Sequence, residues 1–142
     1  MKKIIHILLL LLVLGVVFYL SNQNGIKSAK QSNDFLSTVT FNTNNTFVVT
    51  KKTIRKFAHM FEFGVVTLFI YLLLNDYIKS KNKVYLLTLG LSILMCVADE
   101  LHQTFIVGRY GCVYDVGVDA FGVILMLSFI IFINNKKLGS NS

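Results

Sequence analysis

Apolar residues in this chain collect into four runs, 4–20, 57–74, 84–103 and 116–133, separated by polar stretches of very unequal length. None of the runs alternates with period two, and none shows a single apolar stripe backed by a charged face. They are apolar nearly all round, the pattern of helices that face lipid rather than water. At about 1.5 Å per residue, each is long enough to cross a hydrocarbon core of about 30 Å with little tilt. The expected fold class is therefore all-α, an integral membrane bundle of four transmembrane helices forming one domain over 1–142. The connections comprise a polar loop at 21–56 rich in Asn, Ser and Thr, a short basic turn at 75–83, and a turn at 105–115 containing Gly108 and Gly111. Within the long loop, the segment TFVVT at 46–50 reads as a short strand or an interfacial segment.

Composition agrees with this reading. In 142 residues, 54% are hydrophobic and 15% charged, with mean hydropathy +0.64, which excludes an ordinary soluble domain. The 14 Lys and Arg exceed the 7 Asp and Glu, giving a net charge of +7. The basic residues lie between or beyond the apolar runs, where they act as membrane anchors. No soluble basic face with interleaved aromatics is present, so nucleic acid is not an expected partner. The first run is longer than a signal-peptide core and no A-x-A-like site follows it, so it reads as a retained helix. Cys96 lies in an apolar run and Cys112 in a polar connection, a spacing that forms no C-x-x-C and no disulfide framework.

The distribution of acids carries the chemistry. Five of them, Glu62, Asp99, Glu100, Asp115 and Asp119, lie in or against apolar runs. There a charged side chain costs about 2.5–3.5 kcal/mol at the helix centre on insertion scales. Alternating topology brings the start of the second run, the end of the third and the start of the fourth to one side of the membrane. Arg55, His59 and Glu62 follow i, i+4, i+7 on one helix face, and Asp99, His102 and Gln103 follow i, i+3, i+4. Gly122 shares the face of Asp119 and allows another helix to come close. Arg109, between Gly108 and Gly111, is placed to pair with a carboxylate or to hold an anion.

Several readings are open for these residues. Interfacial anchoring accounts for Arg55, Lys56 and Asp115, whereas adjacent carboxylates at Asp99 and Glu100 repel unless one is neutralised, as happens at working sites. Glu62, Asp99 and Glu100 are the candidate acids or bases. His59, Glu62 and Glu100 offer an imidazole and carboxylates to a divalent metal, although no H-E-x-x-H is present. No cofactor is otherwise implied. His6 and His102 read as core or lipid contacts. Ser92 lies mid-helix without a nucleophile elbow.

RKFAHMFEFG at 55–64, DELHQTFIVGRYGCVYDVGVDAFG at 99–122 and FYLSNQNG at 18–25, with Ser28 and Ser32 beyond, resemble the signature segments of the VanZ-like membrane family. The resemblance spans nearly the whole chain. It implies polar residues at Arg55, Lys56, His59, Glu62, Asp99, Glu100, Gln103, Arg109, Asp115 and Asp119, with glycines at Gly108 and Gly122. Val107 stands where the family usually has Pro, and Met126 where a second small residue often follows. Basic residues divide evenly between the two sides of the membrane, so charge alone does not orient the chain. The resemblance implies a bacterial cell membrane, cytoplasmic termini and a site at the outer face. It also implies contact with the bilayer and with a lipid-linked or cell-wall component, and lowered susceptibility to the glycopeptide teicoplanin, after the family's namesake. The alternatives are a membrane enzyme acting on a lipid-linked substrate, a small proton- or ion-coupled carrier, and a structural partner in an envelope complex.

Overall fold

The computed structural model describes residues 2–22, 51–106 and 112–139. Its elements are α1 (Lys2–Ser21), α2 (Lys51–Tyr77), α3 (Lys81–Gln103) and α4 (Val113–Gly139). All four helices are long and apolar enough to cross a membrane. Helices are the expected solution, because in hydrocarbon every backbone N–H and C=O has to be satisfied within its own segment.

α2 begins at Lys51 rather than at 57, and so takes in the last residues of the expected loop 21–56, while α4 begins at Val113 and runs to Gly139. Hydropathy marks only the part of a helix inside the hydrocarbon, whereas i to i−4 hydrogen bonding continues through polar residues at the interface. The segment at 46–50, Gly108 and Arg109 lie outside the described residues.

Side-chain contacts fix the order of the helix ends. His6 of α1 meets Asp76 at the end of α2, with Nδ1 2.6 Å from Oδ2. Asn134 of α4 donates from Nδ2 to the hydroxyls of Tyr71 in α2 (2.7 Å) and Tyr85 in α3 (3.0 Å). The start of α1, the end of α2, the start of α3 and the end of α4 therefore share one face of the bundle, called here the terminal end. At the opposite end, Lys56 of α2 pairs with Asp115 of α4.

The interior is made of small and polar side chains as much as large apolar ones. Phe63, Val66, Val84 and Val123 are fully buried together with Ser21, Thr67, Thr88, Ser92 and Cys96, while Leu8, Leu12, Leu86, Leu94, Phe121 and Phe132 point outward. Lipid tails are as apolar as leucine, so leucine gains little by turning inward, and small residues let helices come close. Thr67 satisfies its hydroxyl by donating to the Phe63 carbonyl one turn back, at 2.7 Å.

α2 and α4 run parallel and make the most extensive contact in the bundle. They cross where a Cβ on Gly122 would stand 2.0 Å from the Met60 carbonyl oxygen, and a Cβ on Gly64 would stand 3.5 Å from the Gly122 oxygen. The contact at Gly122 is backbone against backbone, so no side chain can yield. α1 packs on α2 and more lightly on α3, and buries only Val17 and Ser21.

Gly122→Ala is expected to lower membrane abundance and detergent-solubilised Tm. Gly90→Ala, where nothing lies within 4 Å of the added Cβ, should be neutral or stabilising by up to about 1 kcal/mol through helix propensity. Equal behaviour of the two variants in a thermal-shift series would show that the crossing does not hold the bundle.

Candidate functional site

The first turns of α2 carry Arg55, Lys56, His59 and Glu62 at helical spacing. The Lys56 ammonium lies 2.6 Å from Asp115 Oδ1 and 4.2 Å from the centre of the Tyr114 ring, so one cation is held by a carboxylate and an aromatic face. Asp115 occupies the first turn of α4, where the positive end of the helix dipole favours a negative charge. His59 Nδ1 faces Glu62 Oε2 at 3.3 Å without the alignment of a hydrogen bond, an electrostatic contact within a single turn of α2.

The end of α3 supplies the remaining groups. Glu100, 6% exposed, accepts a 2.7 Å hydrogen bond from the backbone N–H of Cys112, the residue that precedes α4. This charge-assisted bond ties the start of α4 to the end of α3. Gln103, also 6% exposed, donates from Nε2 to Asp99 Oδ2 at 2.7 Å. Asp119 is 3% exposed, one turn into α4 from Asp115. Asp99 and Glu100 are neighbours in sequence but about 100° apart around the helix, and that separation places them on two different clefts.

The first cleft lies between α2, α3 and α4 and is lined by Arg55, Lys56, His59, Glu100, Gln103, Asp115, Val118 and Asp119. The room among them, about 10 Å³, is on the order of a single water molecule. The second lies between α1, α2 and α3, has a volume of about 240 Å³, and is lined by Leu14, Val17, Phe18, Phe63, Met95 and Ala98, with Asp99 and His102 at its polar end. Among the described residues no group of three or more His, Cys, Asp and Glu is placed to hold a metal ion. Of the metal candidates, His59 and Glu62 meet each other while Glu100 is engaged by Cys112.

The VanZ/LLP1 family model matches residues 6–134. The chain belongs to the VanZ/LLP1 family. No curated protein matches it, and no solved structure does.

Of the polar residues that the VanZ-like pattern picks out, Arg55, Lys56, His59, Glu100, Gln103, Asp115 and Asp119 surround the first cleft. Glu62 adjoins it through His59, and Asp99 turns to the second cleft while remaining bound to Gln103. Gly122 lies at the helix crossing, and Gly108 and Arg109 fall outside the described residues. Two features escape sequence reasoning. His102, read as a core or lipid contact, shares the second cleft with Asp99, and its Nδ1 is buried without a hydrogen-bond partner among the described residues. Its place on the Asp99 face was the available signal. The His6–Asp76 pair joins positions 70 apart in sequence, and no local spacing announces it.

Glu100→Ala is expected to destabilise the protein in detergent by about 1–3 kcal/mol, because the charge-assisted bond from the Cys112 N–H to the buried Glu100 carboxylate is lost. Glu100→Gln keeps an acceptor oxygen and should lose clearly less. Equal losses in both variants, measured by thermal unfolding, would show that the bond to Cys112 does not fasten α4.

Proposed function

We propose that this VanZ/LLP1 protein spans a bacterial cell membrane with both termini in the cytoplasm. In this reading its polar cleft at the outer face binds a component of the cell envelope, and expression lowers susceptibility to glycopeptides such as teicoplanin. One observation carries the proposal: three helix ends bring two fixed cations, an imidazole and three carboxylates around a single cleft at one end of a membrane-spanning bundle. Charges at a membrane boundary are costly unless paired, and a cluster built only for stability needs fewer of them. The room inside suits a water rather than a whole ligand, so the component engages the rim formed by Arg55 and Lys56, with the acids and His59 behind it.

A second reading, an enzyme acting on a lipid-linked substrate with Glu62 or Asp99 as general acid or base, is favoured by the position of Asp99 at the polar end of an apolar cleft. A proton- or ion-coupled carrier is less well supported, because the acids lie at one end of the bundle rather than near the midplane.

Orientation is tested with single cysteines at Asn44 and Asn82 in a background lacking Cys96 and Cys112. An impermeant maleimide on intact cells should label the first and spare the second. The opposite pattern would put the cleft on the cytoplasmic face and end the outer-face reading.

Function is tested in a teicoplanin-susceptible host, where expression should raise the inhibitory concentration. His59→Gln and Asp119→Asn should each return it to the host value at wild-type membrane abundance. Full protection by both variants would remove the site from the function. Comparison of lipid-linked envelope intermediates with and without the gene separates the two readings, since accumulation of one species favours the enzyme and unchanged lipids favour binding.

A further inference from the structure

We infer that the cleft between α1, α2 and α3 holds one hydrocarbon chain of a bilayer lipid whose ammonium headgroup meets Asp99 and His102. The inference rests on the proposed outer-face site for the leaflet it assigns, and it identifies what reaches the polar cluster from the membrane.

The shape of the cleft is that of a lipid standing upright. Met95, Ala98, Asp99 and His102 follow i, i+3, i+4, i+7 along one face of α3, and Leu14, Val17 and Phe18 follow i, i+3, i+4 along α1. The apolar lining lies toward the middle of the bundle, and the two polar side chains lie in the last two turns of α3, at the membrane boundary. From Met95 to His102 the helix rises roughly 10 Å, about two-thirds of one leaflet's hydrocarbon depth. A volume of about 240 Å³ accepts a length of one chain.

Access is lateral. α1 is the most lipid-exposed helix and touches α3 only lightly, so the cleft opens to the bilayer between them. The Phe18 ring stands at its mouth, 57% exposed, with its centre 4.8 Å from that of His102.

Charge selects the headgroup. The carboxylate on this wall is Asp99, which accepts from Gln103 through Oδ2 and has lone pairs left for a further donor. His102 adds a buried Nδ1 without a hydrogen-bond partner among the described residues. A primary ammonium donates hydrogen bonds to both, whereas a trimethylated ammonium carries the same charge but no N–H.

The test uses the full chain in proteoliposomes doped with phosphatidylethanolamine carrying a diazirine on one acyl chain, with adducts mapped by mass spectrometry. Adducts should concentrate on 14–18 and 95–98. Ala98→Trp, which fills the cleft from an exposed position, should reduce them about tenfold. Leu94→Trp, on the outer face of α3, should leave them unchanged. The phosphatidylcholine counterpart should label less, and Asp99→Asn should abolish the difference. If Ala98→Trp fails to accumulate, Leu14→Trp replaces it. Adducts spread evenly over exposed positions such as Leu8 and Leu86, indifferent to filling the cleft, would overturn the inference. That result together with lost protection in Asp119→Asn rejects the lipid cleft and leaves the proposed site standing. Cleft adducts together with full protection in the site variants reject the proposed site and retain the cleft.

Discussion

The close approach of α2 and α4 at Met60 and Gly122 sets the geometry of the whole site end. The two helices run parallel, so both bring their first turns to the same side of the membrane. Backbone contact one to two turns inside leaves those first turns little freedom to separate. Lys56 lies one turn before Met60, and Asp119 and Asp115 lie one and two turns before Gly122. The Lys56–Asp115 pair and the burial of Asp119 follow from that crossing. Parallel neighbours cannot be joined by a short turn, so α3 returns between them, and Glu100 completes the arrangement by holding the start of α4.

Membrane solvation explains why so little of this depends on leucine. The large apolar side chains face lipid, and the interior is assembled from threonine, serine, cysteine, glycine and valine with a few aromatics. Polar groups inside then serve as connectors between helices. Asn134 joins Tyr71 and Tyr85 at the terminal end, and Glu100 ties α3 to the start of α4 at the other, while Gln103 braces Asp99 within α3.

Four helices and their alternation were legible in the sequence, because hydropathy over long windows reports directly on the hydrocarbon core. So was the gathering of acids at one end, since topology alone places the three helix ends together. Helix starts at Lys51 and Val113 were not, because a helix continues into polar surroundings where hydropathy carries no signal. The division of Asp99 and Glu100 between two clefts depends on the rotation of α3 against its neighbours, which sequence spacing leaves undetermined. His102 illustrates the same difficulty: a lone histidine near a helix end looks like any interfacial residue until the facing helix is known. The His6–Asp76 pair lies beyond any local pattern.

That pair has a mechanical corollary. It pins α1 to α2 at the terminal end, and Val17 and Ser21, the two buried residues of α1, hold the helix at the other end, on either side of Phe18 at the mouth of the α1–α3 cleft. Twelve residues, roughly 18 Å of helix, separate His6 from Phe18, so the two attachments lie near opposite ends of α1. Helices adjust tilt to the thickness of the surrounding bilayer. Held at both ends, α1 meets such a change by tilting together with α2, which keeps Phe18 in register with the cleft that it borders.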